Sequence, residues 1–326
     1  MRGNYVAGVL AGLFVLSSCG GGGSSGADPV SVPSPTPSPS PSASPTPTPT
    51  YSTYVSLTGD QQFDLACATV NSNGSSIVLG QPIAFDADPG LTLTYTAADD
   101  SYAVNGSGVS EIFTPADIDN SFPNSEAAYS KADSVGSRLI IGAPAPGGMT
   151  AQYTRGLYVL VQNTITSNVD EYVCAFGVPT LISDPPAETN VTFTGFSGNG
   201  VLRQYQSDGT VGVYSLTTSS ESASVNTTTG QIDFAFSVSG TLIATYGPGT
   251  AAATVDLGSF TGQTTMDGIA QNFGGILSHQ DNTIQSQYQG WFFGPQGKEL
   301  NLGAAILQDS GGGNRVVGTL GFTANR

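Results

Sequence analysis

The chain has 326 residues, with 8 Lys and Arg against 24 Asp and Glu, a formal net charge of −16, one His and 3 Cys. A surface this acidic repels nucleic acid and anionic lipid, and a single His without a cysteine cluster leaves too few ligands for a structural zinc site. With 43 Gly, 13 Tyr and 15 Phe, only 10% charged residues and almost no helical periodicity, the composition is that of an all-β protein.

The first elements are not part of a fold. Arg2 precedes an apolar run over 6–16, broken only by glycine and alanine, which ends in Leu16-Ser17-Ser18-Cys19. That run is too short to cross a bilayer core about 30 Å thick as a helix, so 1–18 reads as a signal peptide. Leu-Ser-Ser-Cys matches the lipobox of bacterial lipoproteins, which makes Cys19 the lipidated first residue of the mature chain. Several acyl chains there hold the membrane far better than one, each buried CH₂ adding about 0.8 kcal/mol. Gly20 in place of Asp favours passage to the outer membrane in well-studied Gram-negative bacteria. Without Arg2, 7 basic residues face 24 acidic ones, a net charge near −17. Residues 19–50 join the lipidated Cys to a Gly/Ser tract and then a Pro/Ser/Thr-rich linker. Such a linker buries no core and in polyproline II form reaches roughly 70 Å. It serves either to present the body to a large partner or as a wall-spanning or solubilising spacer.

Beyond residue 50, short runs of β-favouring residues alternate with turn clusters. Strands are expected over 51–58, 77–85, 91–95, 109–113, 138–141, 152–161 and 172–176, with a helical turn possible only within 117–132. Asn73-Gly74, Asp88-Pro89-Gly90, Asn105-Gly106 and Pro146-Gly147-Gly148 are turn signals. Cys67 and Cys174 lie in the strand-like runs Phe63-Asp64-Leu65-Ala66-Cys67 and Tyr172-Val173-Cys174-Ala175-Phe176, and an oxidising compartment makes a disulfide between them the default, two buried free thiols being the alternative. Asp184-Pro185-Pro186 marks the domain boundary, giving an N-terminal β-rich domain over 51–186.

The second part, 187–326, is more regular, with strands expected over 191–196, 210–216, 223–227, 231–238, 252–260, 273–279, 287–293, 302–307 and 316–322. Apolar and polar residues alternate, as in Gln231-Ile232-Asp233-Phe234-Ala235-Phe236. Eight or nine strands in this pattern point to a closed antiparallel β-barrel, taken as eight-stranded, since closure removes exposed sheet edges.

Gly290-Trp291-Phe292-Phe293-Gly294-Pro295-Gln296-Gly297-Lys298-Glu299-Leu300, followed by Gly303 and closing with Val316-Val317-Gly318-Thr319-Leu320-Gly321-Phe322, resembles the C-terminal barrel signature of the transferrin-binding protein B-like surface lipoproteins. Cys174-Ala175-Phe176-Gly177-Val178-Pro179-Thr180, Ser183-Asp184-Pro185-Pro186 and Thr192-Phe193-Thr194-Gly195 resemble the join between the first domain and the barrel in smaller members. The departures are Gly297 for the usual Ala, Asn301-Leu302 before Gly303, and Ala304 in place of a second Gly. The motif residues are thus Gly290, Phe292, Phe293, Gly294, Pro295, Glu299 and Gly303, with one helical turn at 294–300 between the last strands. The resemblance implies a handle-like first domain and a C-terminal barrel. It further implies an outer-membrane lipoprotein on the cell's extracellular face that binds a host or environmental carrier protein, or haem, for iron acquisition. A TonB-dependent receptor and an outer-membrane lipoprotein translocator are the implied partners. An adhesin or immune-evasion module on the same scaffold, without transport, is the alternative.

The residues themselves suggest recognition without catalysis and without a cofactor. His279 is the only histidine, and Gly195-Phe196-Ser197-Gly198-Asn199 lacks the last glycine of a nucleophile elbow. Asp117-Ile118-Asp119 begins like an EF-hand loop, but Phe122 and Ala128 occupy the positions of the required Gly and Glu. Asp86-Ala87-Asp88 and Asp99-Asp100 sit in turns, where Asp bonds its own backbone. Trp291, Phe292 and Phe293 occupy successive strand positions, so both faces of their sheet must take aromatics. Tyr51, Tyr54, Tyr95, Tyr102, Tyr129, Tyr153 and Tyr158 form a Tyr-rich set suited to an interface but equally to ordinary strands. No ligand contact is assigned.

Overall fold

The computed structural model describes residues 49–73, 76–85, 87–266 and 272–326. The signal peptide, Cys19, Asp86 and nearly all of the linker lie outside these residues.

In chain order the first half forms β1 (Gln61–Asp64), β2 (Ala66–Ser72), β3 (Ile77–Leu79), β4 (Thr92–Thr96), β5 (Ser101–Gly106), β6 (Val109–Phe113), β7 (Ala127–Ser130), β8 (Arg138–Gly142), β9 (Thr154–Gln162) and β10 (Val169–Gly177). Two sheets result, one ordered β1-β4-β5-β6 and the other β3-β2-β10-β9-β8-β7. Their facing sides bury Leu65, Leu93, Val104, Phe113, Val159 and Phe176 in one core. Cys67 and Cys174 stand directly opposite each other across β2 and β10 and are joined by a disulfide inside that core.

β10 shows why its sequence reads as an unbroken apolar run. Tyr172, Cys174 and Phe176 point into the first core, while Val173 and Ala175 point the other way into separate buried clusters. A strand buried on both faces has no polar side.

The second half supplies β11 (Asn190–Phe193), β12 (Gly195–Tyr205), β13 (Val211–Asn226), β14 (Gln231–Tyr246), β15 (Thr254–Thr265), β16 (Asn272–Gly275), β17 (Ser278–His279), β18 (Ile284–Phe293), β19 (Glu299–Gly311) and β20 (Asn314–Asn325). They form one antiparallel sheet in the order β16-β18-β19-β20-β12-β13-β14-β15-β17, with β11 also beside β13. The two ends of that path are pieces of one chain segment, separated only by Ile276 and Leu277. β16 bonds to β18, with Phe273 opposite Gly290, and β17 bonds to β15, with His279 opposite Phe260. The sheet therefore curls as a half-barrel, and the split segment spans between its edges as the eighth strand. Ile232, Phe234, Phe236 and Val238, alternate residues of β14, fill its interior together with Leu216, Phe260 and Phe322.

The fold is all-β, and three details differ from the sequence expectations. Residues 51–58 form no strand; Tyr54–Ser56 is a 3₁₀ turn, closed by the Leu57 N–H on the Tyr54 carbonyl. The Tyr54 ring is thereby placed 4.4 Å from the Arg155 guanidinium and against Phe63 and Phe176. Within 117–132 the chain forms only the tail of a 3₁₀ turn at Pro115–Asp117 and the strand β7. Runs 210–216 and 223–227 belong to one 16-residue strand, β13, interrupted by a bulge between Ser219 and Ser222. Thr48–Arg326 constitutes a compact unit by itself.

Candidate functional site

The residues with the most specific geometry lie where the second face of the six-stranded sheet meets the outer wall of the curled sheet. Along β18 the side chains alternate as a strand requires. Phe292 enters the curled sheet's interior, 5.2 Å from the Phe273 ring. Trp291 and Phe293 point outward into a buried cluster with Ala66 and Ala175, and the Phe85 ring stacks on Trp291 at 4.3 Å.

The turn that follows is the pin of this seam. After a 3₁₀ turn at Pro295–Gly297, the Glu299 carboxylate, 2% exposed, accepts three backbone N–H bonds, from Gln152 at 2.6 Å, Tyr153 at 2.9 Å and Thr154 at 3.0 Å. Asn301, two residues on and facing the same way, donates to Thr154 Oγ1 and to the Arg155 carbonyl. Segment 178–180 after β10 bonds to the end of β18: Gly294 N–H to the Val178 carbonyl, Thr180 N–H to the Phe292 carbonyl, and Thr180 Oγ1 to the Gly294 carbonyl. A side chain at Gly294 would run into the Tyr153 ring, 2.4 Å from an added Cβ.

Gly303 has the strictest role. An added Cβ there would stand 2.0 Å from the Val173 carbonyl oxygen, a backbone atom that cannot swing aside. Gly303→Ala is expected to push β19 off β10 at a cost of about 1–3 kcal/mol. A lower denaturation midpoint together with a red-shifted emission from Trp291, the only tryptophan, is the expected result.

Further along the seam, Arg203 on β12 pairs with Glu171 at 2.6 Å and donates to the Tyr158 hydroxyl at 3.1 Å, while Thr319 Oγ1 donates to Glu171 at 2.9 Å. Burial, then the neighbouring Glu171 charge, holds the Tyr158 hydroxyl well above its ordinary pKa. Ala68, Val70, Val173, Ala305, Leu307 and Val317 pack dry beside this network.

The motif residues Gly290, Phe292, Phe293, Gly294, Pro295, Glu299 and Gly303 are thus assembled around one structural joint. The Tyr set divides. Tyr54, Tyr102 and Tyr129 pack on the first core, Tyr95 stacks on Tyr102 at 5.0 Å, Tyr158 lies in the seam, and Tyr51 meets Tyr153 edge-on at 6.3 Å.

His279 spends both ring nitrogens on the backbone, Nδ1 accepting from the Asp281 N–H at 2.9 Å and Nε2 meeting the Leu257 carbonyl at 2.6 Å. The ring clips β17 to β15. Asp117 caps its own turn through Thr114. Hydrogen bonds from Ser121 and then Ser130 hold the Asp119 carboxyl down at about 2. Asp100 accepts from the Tyr95 hydroxyl. Among the described residues no group of three or more His, Cys, Asp or Glu side chains is placed to hold a metal ion.

The exposed concavity of the first half runs along β7, a recess of about 320 Å³ lined by Ile118, Asn120, Phe122, Pro123, Glu126 and Tyr129. Ile118 in its wall is 50% exposed. Nothing in the residue pattern marks this recess, because it is formed by a loop folding back on a strand edge, with the Asp119 N–H on the Ala128 carbonyl.

No protein-family model matches the chain, and no curated protein does. Among solved structures it is similar to a double mutant of transferrin-binding protein B from Haemophilus parasuis Hp5, at 14% identity and a TM-score of 0.34, over 80% of this chain and 44% of that one. Isotype 1 transferrin-binding protein B from serogroup B Neisseria meningitidis gives 14% identity and 0.33, over 81% and 43%. HpuA from Kingella denitrificans, in complex with human haemoglobin, gives 10% and 0.32, over 82% and 87%. This chain spans less than half the length of the two transferrin-binding protein chains.

Proposed function

We propose that this protein is a lipid-anchored lipoprotein of the outer-membrane surface. In this reading it captures an iron- or haem-carrying protein through its first half and passes the cargo to a TonB-dependent receptor, without catalysis. Residues 51–186 form the recognition domain and 187–326 the supporting barrel. Cys19 carries the lipid and the linker sets the body away from the membrane. The observation that carries this reading is the seam. The motif residues Glu299 and Gly303, with Asn301 and the Arg203–Glu171 pair outside the motif, fasten two sheet systems together. What they make is a rigid platform, and rigid presentation lowers the entropy cost of binding. The recess along β7, with half-exposed Ile118 in its wall, is the surface on that platform suited to a protein partner. A few apolar anchors in such a patch carry most of an interface's free energy.

The test uses the compact body, 48–326, against immobilised human haemoglobin, transferrin and haem. Saturable retention of one of them is expected, and Ile118→Asp should weaken it at least tenfold while leaving the melting temperature unchanged, because that side chain is half exposed. Retention of none of the three, or an Ile118→Asp protein that binds as well as the parent, contradicts the reading.

A further inference from the structure

A second concavity lies at the opposite sort of surface, the open end of the curled sheet where β13 turns into β14 and β18 into β19. It measures about 360 Å³, within the range of roughly 300–1,000 Å³ of small-ligand pockets. Its walls are Val191, Phe193, Val225 and Phe292, and Ile182 and Pro185 form one lip. Among its described lining residues none is ionisable, and the side-chain hydroxyls stand together at one edge, on the turn 227–229. A polar ligand or a peptide inside would leave its hydrogen-bonding groups unpaired, at a cost no contact there repays. A hydrocarbon chain with one polar end meets no such cost, its tail against the apolar walls and its head at the threonine edge. Taking about 30 Å³ for each water-sized group, the cavity encloses about a dozen carbons of a chain, and a longer one leaves its last carbons and its head at the open mouth.

The path of the chain bears on the same end. The Tyr51 hydroxyl accepts the Leu181 N–H at 2.9 Å, and Leu181 adjoins Ile182 of the lip. Tyr51, near the start of the described residues, therefore lies beside this mouth.

We infer that the mouth of the curled sheet is a binding site for a single long-chain fatty-acyl group. The site does not depend on the capture of a carrier protein, and its test needs no such partner. The body 48–326, which carries no lipid, is titrated with the fluorescent fatty acid cis-parinaric acid. Saturable binding of one molecule per chain, displaced by palmitate, is expected. Ile182→Asp, which places a charge on a lip residue 58% exposed, and Thr228→Trp, which fills the mouth from an exposed turn position, should each weaken binding at least tenfold with unchanged circular dichroism. The full-length lipoprotein in detergent then identifies the source. Loss of probe binding there, while the lipid-free body in the same detergent still binds, means that the chain's own anchor occupies the site, and binding equal to that of the body means that the site serves an external lipid. Absence of saturable binding to the body, or binding untouched by both substitutions, overturns the inference.

Discussion

Replacing both halves of the Cys67–Cys174 bond, by Cys67→Ala with Cys174→Ala, is expected to destabilise the body by about 4–5 kcal/mol in the chain-entropy account of a cross-link. The reasoning is one of loop length. The bond spans 107 residues, so in its absence the unfolded chain regains the freedom of a loop holding most of the first two sheets. The folded state loses little, because Cys67 and Cys174 are already opposed in the register of β2 and β10, held by the flanking backbone bonds. At about 2–4 °C per kcal/mol for a domain of this size, the melting temperature should fall by roughly 10 °C or more, with the all-β circular dichroism of the folded state retained. A double variant melting within a degree or two of the parent would show that the cross-link adds nothing to the fold.

Glu299→Ala is expected to be nearly as costly and to fail in a different place. Its carboxylate satisfies three backbone donors at 152–154, and Thr154 is fully buried. Hydrogen bonds to a buried charge are worth about 1.5–3 kcal/mol each, and a donor left unpaired costs about 1–3 kcal/mol. Since these bonds act as a set, a total near 3–5 kcal/mol is expected. Glu299→Gln keeps one acceptor but turns an amide NH₂ toward N–H groups, and should recover only part of that loss. Trp291, eight residues before Glu299 and buried against Phe85, reports the event. Seam opening should red-shift its emission at denaturant concentrations where the disulfide-bonded first core is still folded. If Glu299→Ala instead unfolds in one transition at the parental midpoint, the carboxylate is not the pin.

The regular elements were legible because burial on one face writes itself into the sequence with period two. Ile232, Phe234 and Phe236 inside and Asp233 and Ala235 outside are such a case. Where that condition lapses, so does legibility. β12 runs through Gly195, Gly198 and Gly200, and beyond residue 196 no strand is expected there, yet it pairs with both β13 and β20. The middle of β13, Thr217-Thr218-Ser219-Ser220-Glu221-Ser222, has no apolar alternation, and its place is fixed by the strand beside it. The motif at 290–303 was visible as a pattern, but its purpose was not. Glu299 meets residues about 145 positions earlier in the chain, and Gly303 is small because of a carbonyl on Val173. Such reasons belong to tertiary contacts, which spacing along the chain does not encode. The same holds for both concavities, each formed by segments that only folding brings together.

Hydrogen exchange on the body, with and without human haemoglobin, transferrin or haem, tests most directly whether this is a platform whose first half does the docking. With the ligand that binds, slowed exchange is expected over 112–129, around Ile118 and the recess along β7, while the hydroxyl-rich outer wall at 211–265 exchanges as before. Slowing confined to that wall, or no change in either region with any of the three, would contradict it.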